Sequence, residues 1–311
     1  MIILEEGLRP TFGGHEKFVF RHGWLKKGLD AANANPVVFT EDTALVTLGV
    51  GKNMVRSIRH WCLATNLLKE DKTPGHEHTL IPSELGKRLL LKGGWDPFIE
   101  DTGTLWLLHW QLVSNQMRSL VWHVTFSAYL VTEFSKKQLV DYIHKEFEHV
   151  GLRVPETSIE REVDCCLRTY VPARNRTGAL SQDTLDCPLA ELELLRYYPD
   201  ENIYRYNVGP KLSLPVPIFG YALITFLYRI ARTRRTVSVE ECAYQYGSPG
   251  QAFKLDENSV VEYLEALEEL TQGRLRLMET AGLRQIYFTE QLSEPFRQVG
   301  LEILQKYYEQ Q

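Results

Sequence analysis

Hydrophobic and polar positions separate almost completely in the stretch of residues 49–62, GVGKNMVRSIRHWC. At about 100° per residue, an α-helix would carry these two classes of side chain on opposite sides. The polar side chains predicted to share one face are Lys52, Asn53, Arg56, Arg59 and His60. The apolar side chains predicted on the opposite face are Met54, Val55, Ile58, Trp61 and Cys62. The pattern therefore predicts an amphipathic helix.

The polar face of this helix contains no Asp or Glu, although the 311-residue chain carries a formal net charge of −5. Lys and Arg suit phosphate groups, and Asn suits the edge of an adenine base. The composition of the face therefore favours contact with DNA. A solvated amphipathic helix is the alternative interpretation, and the flanking sequence bears on the choice.

The residues before this stretch predict a helix–turn–helix. Thr40 is expected to cap a short helix whose first turn contains Glu41 and Asp42, because the helix dipole favours acidic residues there. Apolar residues continue at helical spacing to Leu48, and residues 49–51, GVG, then break the helix. A short helix, a turn of about three residues and a longer basic helix follow one another in a helix–turn–helix.

The residues after the stretch predict the wing of a winged helix–turn–helix. The basic helix is expected to run to about Lys69 and to end at the breaker of residues 72–75, KTPG. An extended piece over 78–81 follows, and Ser83 is then expected to cap a helix that reaches Leu91. A helix–turn–helix followed by a strand-like wing is the winged version of this DNA-binding motif.

The middle of the chain predicts helices. Residues 104–112 are apolar on almost every side, which is typical of a core helix. Ser135 and Gln138 have the spacing of a capping box, as do Thr157 and Glu160, and each pair therefore predicts a helix start. The middle of the chain is thus expected to form a helical domain that ends in a hairpin.

The last third of the chain repeats the winged-helix order with the opposite charge. The hairpin that ends the middle region is predicted over 197–208. The predicted elements after it are helices over 217–232, 238–246 and 256–271, and strands near 236–237, 274–279 and 283–288. The helix in the recognition position contains Asp256, Glu257, Glu262, Glu265, Glu268 and Glu269, with no Lys or Arg. Phosphates would repel this helix. We therefore expect the last domain to pack on protein.

The fold class predicted from these patterns is mainly α with small β-hairpins. The expected domains are a winged helix–turn–helix over 1–92, a helical middle domain over 93–210 and an acidic winged-helix-like domain over 211–311. No apolar run reaches the ~18 residues needed to span a membrane, and the N-terminus is too short and acidic for a signal peptide. Five cysteines without a CxxC pair fit a reducing cytoplasm. The chain is thus expected to be a cytoplasmic protein without a membrane partner.

A candidate catalytic group lies near the N-terminus. His15 and Glu16 supply a base and a carboxylate, Arg21 supplies a cation, and Gly13-Gly14 allows a ligand close to the backbone. These residue types are those that phosphodiester hydrolysis requires. The alternative is that His15 and Glu16 brace the first helix against Arg21.

A candidate Mg²⁺ site precedes the apolar middle helix. Asp96, Glu100 and Asp101 supply three carboxylates within six residues, and carboxylate oxygens are the ligands that Mg²⁺ takes. The alternative is that these acidic residues only stabilise the N-terminus of the helix, because the helix dipole favours them there without any metal.

Three further groups are also candidates. Asp183 and Asp186, near the Arg-rich loop 174–176, are a second possible carboxylate pair. The sequence His-Glu-His at 76–78 has ligands for a transition metal, but its Pro-Gly neighbours favour an exposed wing tip. The cysteine pair at 165–166 could relay sulfur only if exposed, and its helical register favours the core instead.

Four separated motifs resemble one family. They lie at 12–27 (FGGHEKFVFRHGWLKK), 48–56 (LGVGKNMVR), 101–111 (DTGTLWLLHWQ) and 183–189 (DTLDCPL), and they are similar to the SspB-like proteins of bacterial single-strand DNA phosphorothioation systems. The resemblance implies a DNA-binding, strand-nicking subunit of an antiphage defence system. It also implies a cysteine desulfurase, an ATP-pyrophosphatase-like sulfur transferase and an ATPase as partners. The resemblance does not identify the catalytic residues.

Three functions follow as hypotheses. The first is a double-stranded DNA-binding and nicking component of a phosphorothioation system, with Mg²⁺ as its candidate cofactor. The second is a winged-helix transcriptional regulator without enzymatic activity. The third is a protein-interaction scaffold, which the acidic last domain favours. DNA affinity, its salt dependence and plasmid cleavage distinguish these hypotheses.

Overall fold

The computed structural model describes residues 2–5, 7–171, 187–280, 282–289 and 294–311. The chain divides into two compact units, Met1–Thr125 with Glu133–Arg205 and Phe126–Thr132 with Tyr206–Gln311. The described residues are mainly helical with small antiparallel sheets, as predicted. The domain boundary expected at 92 lies inside the first unit, and the one expected at 210 lies close to the division at Arg205.

The first part of the chain is built largely from helices. They are α1 (Trp24–Ala34), α2 (Ala44–Leu48), α3 (Lys52–Ala64), α4 (Glu84–Leu90), α5 (Thr102–Ser114), α6 (Leu120–Ser127), α7 (Lys136–His149) and α8 (Glu156–Tyr170). The short strands are β1 (Leu68–Glu70), β2 (Leu80–Pro82), β3 (Glu133–Phe134), β4 (Leu195–Tyr198) and β5 (Ile203–Tyr206). β1 pairs with β2, and β3, β5 and β4 form a second antiparallel sheet in that order.

The remaining elements belong to the second unit. They are α9 (Val216–Ile230), β6 (Thr236–Ser238), α10 (Val239–Tyr244), α11 (Pro249–Phe253), α12 (Glu257–Leu270), β7 (Leu275–Thr280), β8 (Leu283–Phe288) and α13 (Glu294–Tyr308). Their sheet has the order β6-β8-β7. The predicted helices and strands of this region are confirmed, and α11 and α13 are additional helices. Asp256 caps α12 by accepting a hydrogen bond from the Ser259 N–H.

The predicted order of helix, glycine turn, basic helix and hairpin is present in the first unit. Gly49 ends α2 in the left-handed region at φ +61°, and α3 begins three residues later. Ser83 caps α4 as predicted, through its hydroxyl and the Gly86 N–H. The N-cap assigned to Thr40 is wrong, because Thr40 lies in a 3₁₀ turn and α2 begins at Ala44.

Helix α3 is shorter than predicted, ending at Ala64 rather than near Lys69. The Asn115 side chain donates hydrogen bonds to the carbonyl oxygens of Leu63 (3.0 Å) and Ala64 (3.1 Å). Asn66 then takes a left-handed conformation at φ +54°, which is common just after a helix end. A distant side chain therefore satisfies the terminal carbonyls and stops the helix.

The helical middle region agrees with most of its predictions. Helix α5 is buried from Gly103 to Val113, as expected for a core helix. The capping box of Ser135 and Gln138 is confirmed at the start of α7, and the hairpin over 197–208 is confirmed as β4 and β5. The second capping box is wrong, because α8 starts directly after Pro155, so that Thr157 falls inside the first turn.

Helices α1 and α3 pack closely at Gly28. A Cβ atom there would lie 2.6 Å from Cys62 Sγ and 2.7 Å from Ile58 Cγ2. The apolar face predicted for α3 is buried at Val55, Ile58, Trp61 and Cys62, and Met54 is half-buried. The packing holds the polar face of α3 outward. Within the described residues, no helix is both long and apolar enough to cross a membrane.

Candidate nucleic-acid interface

The outer face of α3 presents cations at the start of the helix. Lys52, Asn53 and Arg56 are exposed, as predicted. Gly51 is the N-cap residue and provides no side-chain acceptor for the first backbone N–H groups. Uncapped N–H groups and the positive end of the helix dipole attract anions. Side chains and backbone at this helix end therefore favour the same kind of ligand, a phosphate.

Arg59 lies further along α3 and is half-buried, whereas Arg56 is exposed. Burial and the neighbouring Arg118 lower its pKa, and Glu70 opposes the shift. Arg118 in turn forms an ion pair with Glu70, with an N–O distance of 2.6 Å. Arg59 therefore belongs to a charge cluster beside β1, and its contribution to the exposed face is smaller than that of Arg56.

The placement of His60 on the exposed face was wrong. Its side chain is only 6% exposed, and its ring lies edge-on to His15 and Trp61 at centroid distances of 5.8 and 5.2 Å. Burial, followed by the charges of His15, Arg118 and Arg59, lowers the pKa of His60 to about 3. The ring is therefore neutral at pH 7 and is not presented to a ligand on the outer face.

The loop of residues 12–18 covers His60. A Cβ atom on Gly14 would lie 2.5 Å from His60 Nδ1, so only glycine allows the loop to approach this closely. The Gly13 N–H donates a hydrogen bond to Glu162 of α8. The glycine pair predicted to admit a ligand instead brings the loop against α3 and α8.

His15 and Glu16, adjacent in sequence, point in opposite directions. His15 is only 1% exposed, and its Nδ1 accepts a hydrogen bond from the Lys17 N–H at 3.0 Å. Its Nε2 lies 3.3 Å from Oε1 of the buried Glu162. Because Nδ1 accepts a hydrogen bond, Nε2 carries the proton and faces the carboxylate. His15 therefore anchors the loop inside the first unit.

Glu16 reaches the outer face of α3. Its Oε1 lies 3.3 Å from Arg56 Nη1, and both side chains are partly exposed. Glu16 and Lys17 have φ angles of +50° and +67°, a strained conformation for residues with side chains. The loop therefore places one carboxylate beside a face whose own sequence contains none.

The three candidate catalytic residues do not converge. His15 is buried, Glu16 pairs with Arg56, and the Arg21 guanidinium lies over the rings of Phe18 (5.8 Å) and Trp24 (5.3 Å). His15 has a structural role, as the alternative expected, but its partner is Glu162 of α8, and Glu16 pairs with Arg56. No sequence pattern pointed to Glu162, which contacts the loop from almost 150 positions away.

The Glu16→Gln variant is expected to bind duplex DNA about two- to fivefold more tightly than the native chain. The carboxylate competes with phosphate for Arg56, and an exposed ion pair of this kind is worth about 0.2–1 kcal/mol. Fluorescence anisotropy with a labelled duplex measures the change. The control is Glu160→Gln, which removes one exposed acid elsewhere on the first unit. If the two variants raised the affinity equally, the effect would come from net charge and not from the ion pair of Glu16 with Arg56.

The free energy of unfolding is expected to fall by about 2 kcal/mol as the pH drops from 7 to 5, because of His60. Its pKa is about 3 in the folded chain and ~6.5 in the unfolded chain, so the unfolded chain binds the proton more readily in this range. Urea unfolding at both pH values measures the difference. His60→Gln should remove most of it, whereas the control His22→Gln, at an exposed position, should not. An unchanged pH dependence in His60→Gln would contradict the assignment.

The carboxylates proposed to bind Mg²⁺ are engaged by the backbone. The Asp96 oxygens accept hydrogen bonds from the N–H groups of Glu100 (2.9 Å) and Asp101 (3.1 Å). Asp101 is the N-cap of α5 and accepts a hydrogen bond from the Gly103 N–H, whereas Glu100 is exposed. The described residues include no group of three or more His, Cys, Asp or Glu side chains arranged for a metal. The donor set here therefore fits helix capping and not a magnesium site.

The structure also shows the positions of two of the three further candidate groups. His76 lies in an exposed loop with its Nδ1 2.7 Å from Asp71. Cys165 and Cys166 are buried, and burial raises the pKa of both thiols, which disfavours a sulfur relay. Asp183, Asp186 and the loop 174–176 lie outside the described residues.

The comparisons with known proteins agree with the resemblance. The model of the family DUF4007, described as a protein of unknown function, matches residues 12–308. Two solved structures, described as the SspB crystal structure and the magnesium ion-bound SspB crystal structure, each match with a TM-score of 0.86 and 32% identity. Each match covers 98% of this chain and 89% of the other. None of the curated proteins compared matches this chain.

Proposed function

Because the chain belongs to the DUF4007 family and matches SspB over almost its whole length, we propose that it is the DNA-binding component of a DNA phosphorothioation system. The observation that carries the proposal is the exposed row of Lys52, Asn53 and Arg56 at the uncapped start of α3. The proposal places the protein in the cytoplasm with double-stranded DNA. Its protein partners would be a cysteine desulfurase, an ATP-pyrophosphatase-like sulfur transferase and an ATPase.

In this proposal, α1 to α3 with β1 and β2 act as a winged helix–turn–helix. Helix α3 enters the major groove with its N-terminal residues nearest the bases, as recognition helices do. The Arg56 guanidinium has the planar fork that binds phosphate or guanine with two hydrogen bonds. Asn53 has the donor and acceptor that match an adenine edge. Lys52 and the helix N-terminus supply affinity for the phosphate backbone that does not depend on sequence.

Helix α12 has the recognition position in the predicted winged-helix order of the second unit, and its charge is opposite to that of α3. The acidic residues exposed on α12 are Glu262, Glu265, Glu268 and Glu269. Phosphates would be repelled from this row. We propose that α12 faces a protein of the phosphorothioation machinery rather than DNA.

Binding is tested by titrating a labelled duplex of about 30 base pairs at several salt concentrations. A DNA-modification component that contacts phosphates loses affinity steeply as salt rises and discriminates little between sequences. Tight binding to one promoter sequence over others would favour the transcriptional regulator instead. Absence of binding at moderate salt would leave only the protein-interaction scaffold.

Strand nicking is proposed from the resemblance alone. The candidate residues His15, Glu16 and Arg21 are held apart, and the carboxylates at Asp96 and Asp101 cap backbone N–H groups. These residues do not fit a magnesium ion, because the carboxylate oxygens accept hydrogen bonds from the backbone. Incubation of supercoiled plasmid with the protein and Mg²⁺ tests the activity. Accumulation of open circles above a metal-free control would support nicking, and intact plasmid with every divalent metal tried would leave binding alone.

A further inference from the structure

The second unit carries a dense group of arginines where α9 leads into β6. Residues 229–235, RIARTRR, contain four arginines and no acid. Two of them are engaged inside the unit. Arg229 donates a hydrogen bond to the Gly247 carbonyl at 3.0 Å, and Arg234 binds both carboxylate oxygens of Glu241 at 2.7 and 2.8 Å. These contacts fix the backbone of the segment and so position the other two arginines.

Arg232 and Arg235 are exposed. The Arg232 guanidinium lies 4.6 Å from the centre of the Tyr228 ring, and Arg297 of α13 approaches the same ring at 5.8 Å. Among the described residues, no carboxylate pairs with Arg232 or Arg235. The positive charge of this segment is therefore presented to solvent on an ordered support.

The sheet that this segment enters carries a further exposed arginine and a tyrosine beside it. Thr236 of β6 lies opposite Tyr287 of β8, and Tyr287 lies opposite Arg276 of β7. Arg276 is exposed, and its Nε donates a hydrogen bond to the Gly273 carbonyl at 3.1 Å. Tyr287 is 39% exposed between them. Tyr287 and Arg276 thus lie side by side on one face of the sheet, and Arg235 directly precedes β6 at the edge of this sheet.

We infer that Arg232, Arg235, Arg276 and Tyr287, the arginine surface, form a second site for the phosphate backbone of nucleic acid. This inference rests on the proposed function. Guanidinium forks bind phosphate oxygens in pairs, and an aromatic ring among them can stack on a base or sugar. The distance from β6 across β8 to β7 is about 10 Å. This distance is close to three nucleotides at the ~3.4 Å rise of one DNA strand. The second unit thus carries both the acidic row of α12 and the arginine surface, and phosphates would be attracted only to the arginine surface.

The test uses the full chain with Arg235 and Arg276 both replaced by alanine. Affinity for a 30-base-pair duplex is expected to fall about tenfold, and the slope of log K against log salt to become less steep by about 2, one phosphate contact per arginine. The control replaces Arg153 and Arg161, two exposed arginines of the first unit, by alanine. This control makes the same change in net charge and should alter both quantities much less.

Two further variants make the result decisive. Restoring positive charge with R235K/R276K should recover most of the salt slope, and R235Q/R276Q replaces the alanine variant if that chain fails to fold. Lys52→Ala/Arg56→Ala in the same assay tests the interface on α3. Loss of binding in that variant together with unchanged binding in R235A/R276A would overturn this inference and leave the proposed function standing. A native chain that does not bind the duplex would overturn both.

Discussion

Replacing Lys52 and Arg56 by alanine is expected to weaken duplex binding by one to two orders of magnitude, about 1–3 kcal/mol. Both side chains are exposed at the start of α3, where the uncapped helix end also attracts phosphate. Loss of two phosphate contacts should also make the slope of log K against log salt less steep by about 2. Fluorescence anisotropy at four or more salt concentrations measures both quantities.

The fold should survive this double change, because the packing of α3 uses its other face. Val55, Ile58 and Trp61 are buried and untouched. Arg59 is left in place because its removal would disturb the ion pair of Arg118 with Glu70. The R153A/R161A variant again matches the change in charge. Binding that equals the native level, with unfolding unchanged, would end the interpretation of α3 as a recognition helix.

Replacing Gly86 by alanine is expected to destabilise the first unit by about 2–4 kcal/mol. Alanine gains about 1 kcal/mol of helix propensity over glycine, but its Cβ would lie 2.2 Å from the Leu67 carbonyl oxygen. That oxygen also accepts a hydrogen bond from the Ser83 N–H at 2.8 Å, so it cannot move away without loss of this contact. Overpacking against a fixed backbone outweighs the gain in propensity.

Urea unfolding followed by far-ultraviolet circular dichroism measures this difference. The matched control is Lys87→Ala, one position along α4, where the side chain is exposed. It should change the free energy of unfolding by no more than about 0.5 kcal/mol. A Gly86→Ala chain as stable as the native one would show that α4 can move away from Leu67.

The sequence by itself determined the local features of this protein. The apolar face of α3, the turn at Gly49, the caps at Ser83 and Ser135 and the acidic row of α12 were all read correctly. Each depends on side chains within one or two helical turns of one another, so the period of the helix and the chemistry of its ends were enough. The resemblance at four motifs was likewise a property of the linear chain, and the comparisons confirm it.

Only the tertiary structure decided what covers each face. His60 has the helical phase of an exposed residue, yet the loop at Gly14 buries it. Glu16 stands beside Arg56 from 40 positions away, and Asn115 stops α3 from 51 positions beyond Ala64. Periodicity reports which side chains share a side of one helix, but it holds no information about which distant segment packs there. The composition of the polar face was therefore set by sequence, whereas its accessible cations and the carboxylate of Glu16 beside them were set by the fold.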